Sequence, residues 1–235
     1  MSGFARVGGE LRCDGVSLED AAREHGTPLY VYSRGAIEAA FRAYEAAFAP
    51  ARPRICYAVK ANGNGAILRL LASLGAGADI VSGGELLAAR RAGFPAERIV
   101  FAGVGKTDAE IALGLEHGIG EWNAASEEEI ARIGAAAAAR GARARISLRV
   151  NPDIDPRSHP YISTGLREAK FGVPIGHARD IFRRARERDG VDMVGVQCHI
   201  GSQITDMEPL AAAARALARL SRELLDEGFA LRTID

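Results

Sequence analysis

Short β-rich runs recur along most of this chain at an interval that leaves room for one helix and two loops between them. No other feature constrains the fold as strongly. The runs are residues 55–60, 78–82, 99–103, 119–123, 145–151, 194–199 and 231–235. The first five begin about 20 to 26 residues apart, the length of a strand, a short loop and a crossover helix. Strands joined by crossovers of that length lie parallel. The intervening segments carry helical patterns: 135–139 is a run of alanines, and leucines at 210, 217, 220, 224 and 225 form one apolar stripe. Four loops also contain S/T-x-x-E, at Ser82 to Glu85, Thr107 to Glu110, Ser126 to Glu129 and Thr205 to Glu208. In that box the hydroxyl caps the N3 amide and the glutamate returns to the cap amide, so each predicts a helix start.

Such regular repetition fits an eight-stranded βα barrel better than a doubly wound sheet. The expected architecture is therefore α/β, a (βα)8 barrel incomplete at its C-terminal end. Seven of the eight strands are visible, and 231–235 would still need a loop, a helix and a closing strand. Residues 27–33 (TPLYVYS) read as a strand outside the barrel, and 35–48 as the first helix leading into it. This divides the chain into an N-terminal segment, 1–35, with an outer strand and a barrel domain, 36–235.

Composition narrows the function classes. The chain is 48% hydrophobic and 26% charged, which is ordinary for a globular domain and excludes disorder or a disulfide scaffold. Thirty basic residues balance thirty acidic ones, so no global field favours nucleic acid or an acidic membrane. Cys13, Cys56 and Cys198 are odd in number and widely spaced, which indicates neither a disulfide framework nor a thiolate zinc site and suits a reducing cytoplasm. The histidines lack metal-ligand spacing, so no metal is expected. No apolar stretch approaches the roughly 18 residues of a membrane span.

Basic residues include only three lysines, Lys60, Lys106 and Lys170. Lysine can form an imine with an aldehyde once its ammonium loses a proton, whereas arginine stays charged. Lys60 ends the run 55–60, at the strand end where barrel enzymes build their sites. Partial desolvation there would favour the neutral amine, although the position also suits an ordinary solvated lysine. Lys106 follows Gly103-Val104-Gly105 and invites a phosphate-loop reading, which fails because Val100 stands where that motif needs glycine. His199 ends the run 194–199 and precedes Gly201 and Ser202, so its ring could stack on a planar ligand while the loop holds a phosphate. A strand-end histidine can equally be structural.

Four ordered strings, YAVKAN at 57–62, ADIVSGGE at 78–85, RVNP at 149–152 and CHIGSQ at 198–203, resemble the fold type III pyridoxal-phosphate decarboxylases. Within that group they are most similar to the diaminopimelate decarboxylases. The resemblance implies that Lys60 attaches covalently to pyridoxal 5'-phosphate, His199 stacks on its ring and Ser202 contacts its phosphate. It also places Asp79, Glu85 and Arg149 around the lysine and cofactor. Each of these three has another candidate role: helix capping for Glu85, strand-end packing for Asp79 and pairing with a carboxylate for Arg149. Residues 159–165 and 170–172 are similar to an insertion near the active site of the diaminopimelate group.

The implied activity is decarboxylation of meso-2,6-diaminopimelate to L-lysine, the last step of lysine biosynthesis, by a cytoplasmic enzyme. Its substrate is a small amino acid, and the full-length form is a homodimer with sites shared across the interface. The family's C-terminal β domain and the phosphate loop that follows the seventh strand are not among these 235 residues, so the chain alone is expected to be inactive. Competing expectations are a related ornithine- or arginine-type decarboxylase, a non-enzymatic single-domain pyridoxal-phosphate homeostasis protein, and a structural or regulatory remnant.

Overall fold

The computed structural model of the chain describes residues 3–155 and 171–235. It begins with a small antiparallel meander, β1 (Phe4–Val7), β2 (Glu10–Cys13) and β3 (Val16–Ser17), followed by helices α1 (Leu18–His25) and α2 (Arg34–Phe48). The βα repeat then runs β4 (Cys56–Ala58), α3 (Gly65–Ser73), β5 (Gly77–Ile80), α4 (Gly83–Ala92), β6 (Ile99–Phe101) and α5 (Asp108–His117). It continues β7 (Glu121–Ala124), α6 (Glu127–Ala138), β8 (Ala144–Asn151), β9 (Val173–Pro174), α7 (Ala178–Arg186), β10 (Val191–Gln197), α8 (Met207–Asp226) and β11 (Thr233–Ile234).

The seven expected barrel strands form one parallel sheet in the order β11-β10-β8-β7-β6-β5-β4, with the short β9 paired beside β8. Strands β7 and β11 stand three places apart, roughly 14 Å if the sheet were flat at about 4.8 Å per step. Yet Thr233 Oγ1 donates to Glu121 Oε1 at 2.8 Å, and Asn123 Nδ2 donates to Asp235 Oδ2 at 2.7 Å. Short polar side chains reach across only because the sheet curls into a partial barrel.

Helices cover its outer face. Leu86, Ile130, Ile133, Phe182 and Leu224 are fully buried between them and the strands, and each such side chain stabilises by roughly 1.5–3 kcal/mol relative to exposure. Among the described residues, no helix is long and apolar enough to cross a membrane.

Two expectations are corrected. Residues 27–33 form no strand: Tyr30 is 84% exposed and Tyr32 53%. Their aromatic and β-branched character favours a pleated, half-covered surface, but no neighbouring strand supplies one. The outer strands are β1 to β3, closed by the two-residue turns Gly8-Gly9 and Asp14-Gly15, in which all four residues have positive φ. Helix α8 is capped by Asp206, whose carboxylate accepts from the Glu208 amide at 3.0 Å, and not by Thr205. The other three boxes cap the helices they predict, through Ser82, Thr107 and Ser126.

Candidate cofactor site

The sheet's C-terminal ends all open on one side, and the chemistry-bearing residues gather there. β4 runs into a 3₁₀ turn, Val59–Ala61, in which Val59 is buried and anchors the turn while the next side chain, Lys60, projects outward. The Tyr57 hydroxyl donates to the Asn62 carbonyl at 3.3 Å and ties the turn back to the strand. His199 follows the end of β10, and Arg149 lies near the end of β8.

Lys60, Arg149 and His199 line one cavity of about 340 Å³, with Val81, Gly103 and Phe171 among its other walls. A volume of that size lies in the usual range for small-molecule sites, about 300–1,000 Å³. The Arg149 guanidinium sits 5.6 Å above the Phe171 ring. Gly103 is required by a close approach: a Cβ there would stand 2.6 Å from the Val81 carbonyl oxygen, closing the gap between two walls.

Burial, followed by the charges of Arg149 and Lys60, pushes His199 down to about 4. The ring is therefore neutral near pH 7 and offers an uncharged face to whatever enters. Lys60 itself is exposed, which corrects the expectation of a desolvated strand-end lysine: this cavity's walls leave the amine in contact with solvent.

The other predicted site residues lie nearby in different settings. Asp79, on β5, faces the barrel interior and lines a second cavity of about 670 Å³ with Cys56, Val100, Glu121, Thr233 and Asp235. Burial and the neighbouring Asp235 carboxylate raise its carboxyl to about 6, against the opposing pull of Lys60 and Arg149. Its Oδ1 is buried without a hydrogen-bond partner among the described residues. Glu85 does the capping work open to it: its Oε2 accepts from the Val81 amide at 2.8 Å, and its own amide donates to Ser82 Oγ at 3.2 Å. It thereby fixes a wall of the first cavity without lining it. Ser202 is exposed in the loop after His199. Residues 159–165 and Lys170 lie outside the described residues.

The remaining described lysine is not available for carbonyl chemistry. Lys106 is 1% exposed, and its Nζ donates to the Gly103 carbonyl at 2.6 Å, the Asn123 carbonyl at 2.7 Å and Glu129 Oε1 at 3.2 Å. Sequence reasoning missed this network, and it set Phe171 near the site only as part of the 170–172 stretch, without a role of its own. Lys106 gave a signal only as a failed phosphate motif, and Phe171 stands outside any periodic run.

An aldehyde cofactor with a flat ring fits what is present. The site provides one accessible amine, a neutral imidazole on the same cavity, a glycine-cleared wall, and a buried carboxyl oxygen nearby with an unused lone pair.

The family described as "Pyridoxal-dependent decarboxylase, pyridoxal binding domain" matches residues 34–235. A diaminopimelate decarboxylase of Aquifex aeolicus is 48% identical over 227 residues, covering 97% of this chain and 54% of that protein. The crystal structure of diaminopimelate decarboxylase from Helicobacter pylori complexed with L-lysine superposes with a TM-score of 0.89 at 44% identity, over 92% of this chain and 55% of that one. That from M. jannaschii, also in complex with L-lysine, gives 0.90 at 39% identity, over 98% and 55%. The chain thus spans about half the length of the relatives it matches. It belongs to the pyridoxal-dependent decarboxylases and contains their pyridoxal binding domain.

Proposed function

We propose that this domain holds pyridoxal 5'-phosphate through Lys60 and serves the decarboxylation of meso-2,6-diaminopimelate to L-lysine. One observation carries the reading: the accessible amine of Lys60 and the neutral ring of His199 open on the same cavity. When bound, pyridoxal phosphate supplies an electron sink for the pair left as carbon dioxide departs.

The chain's own groups do the rest. Lys60 Nζ would hold the cofactor, as the accessible amine on this cavity. His199 would pack its uncharged face on the bound ring and so help orient the substrate, without itself acting as acid or base. Arg149, held over Phe171, places a fixed cation at the cavity wall. Asp79 holds a carboxyl near Lys60 that is partly protonated in the weakly acidic range. The Ser202 hydroxyl, exposed in the loop beyond His199, would contact the phosphate. Glu85 acts through Val81 as a positioning residue.

The diaminopimelate assignment draws on relatives of that name at 40–49% identity. A homodimer in the complete protein and a cytoplasmic location belong to the same reading. The test is carbon dioxide release and lysine formation by the polypeptide carrying this domain, with ornithine and arginine in parallel. Diaminopimelate is expected to be turned over preferentially, and Lys60→Ala to abolish turnover. Equal or better use of ornithine or arginine would favour that branch of the family.

A further inference from the structure

We propose that Lys106 is a positioning residue that sets the rim of the cofactor cavity by pinning the main chain at the ends of β6 and β7. The proposal rests on the cavity reading above and extends it to a residue that does not touch the cavity. Lys106 sits 5.4 Å above the Phe101 ring, and its three donors are each matched to a separate acceptor. Two of these acceptors are main-chain carbonyls: Gly103, a cavity wall just beyond β6, and Asn123, on β7. The third, Glu129, also accepts from the Ala125 amide at 2.8 Å through its other oxygen, and its own amide donates to the Ser126 cap at 3.2 Å. One ammonium therefore joins the exits of two strands to the start of α6.

Stability alone does not account for this arrangement. A buried ion pair is commonly no better than apolar residues of the same volume, and Phe101 and Trp122 already form an apolar floor there. What an apolar side chain cannot do is hold two carbonyls at a fixed separation. The one that matters is Gly103, whose fit against Val81 leaves no room even for a methyl group. If Gly103 shifts, the wall facing Lys60 and His199 shifts with it.

The test compares the parent chain with K106M, the double variant K106M/E129Q, and S33A, which removes the cap of α2 far along the chain. For each, melting temperature is measured, together with the apparent dissociation constant for pyridoxal phosphate, read as label fixed at Lys60 by borohydride. K106M is expected to melt lower and bind about tenfold more weakly. The double variant removes the carboxylate charge that K106M strands but leaves the Gly103 and Asn123 carbonyls without their donor, so its melting temperature should recover in part while the weak binding persists. S33A should melt lower with unchanged binding. Affinity that returns with melting temperature in the double variant, or K106M binding as tightly as the parent, would overturn the proposal. A parent chain that takes no label at Lys60 would overturn the cofactor reading itself, a different outcome from intact parent labelling with an unaffected K106M.

Discussion

His199 and Asp79 titrate in opposite senses, and their sum leaves a mark on stability. The histidine falls from 6.5 to about 4 on folding, so between those values the unfolded chain binds a proton that the folded one does not. Its contribution therefore weakens as pH drops through that window. The aspartate rises from 3.8 to about 6, so there the folded chain holds the extra proton and its contribution weakens as pH rises. Between about pH 4 and 6 the two slopes nearly cancel. In thermal melts across that range, Asp79→Asn is expected to gain stability with rising pH, by up to about 1 kcal/mol per pH unit, and His199→Asn to lose it at a similar slope. Parallel profiles in parent and variants would show that neither group is perturbed as described.

Among the elements, α5 shows which of two effects wins at a helical glycine. Replacing Gly114 by alanine gains about 1 kcal/mol of helix propensity, but the new Cβ would lie 2.4 Å from the Trp122 ring. Trp122 is 2% exposed and stacked on Phe101 at 5.5 Å, so it has nowhere to move. Overpacking costs about 1–3 kcal/mol, so the variant is expected to be less stable on balance, as chemical denaturation would show. Thr107→Ala, which removes half of a complete capping box at the same helix, should cost about 1 kcal/mol in that experiment. The βα repeat is legible in the sequence because buried parallel strands are apolar runs and their exits carry caps at fixed spacing. Lys60 and His199 are legible because strand ends in such a sheet share one face. The meander is less so: its strands are two to four residues long and largely exposed, and only the Gly8-Gly9 and Asp14-Gly15 turns announce it. The Lys106 network is hidden because two of its acceptors lie 17 and 23 residues away.

Across the whole molecule, the interior of the partial barrel departs from the apolar layers usual in this architecture. Glu121, 3% exposed, accepts from Thr233 and Ser147, and Arg54 reaches it at 3.1 Å from the loop before β4. This network ties the edge strand β11 and the loop leading into β4, the other edge strand, to the middle of the sheet. Breaking a buried pair from one side typically costs 3–5 kcal/mol, but Arg54 is about one-third exposed. With that discount, Arg54→Met is expected to cost about 1–3 kcal/mol by calorimetry, and Glu121→Gln should recover part of it. Cofactor capture in this domain requires one amine and one ring to share a cavity, and peptide mapping after incubation with pyridoxal phosphate and borohydride reduction tests that most directly. Label confined to Lys60, and weakened by His199→Ala, is the predicted result. Label spread over Lys60, Lys106 and Lys170 alike, or unaffected by loss of the imidazole, would contradict it.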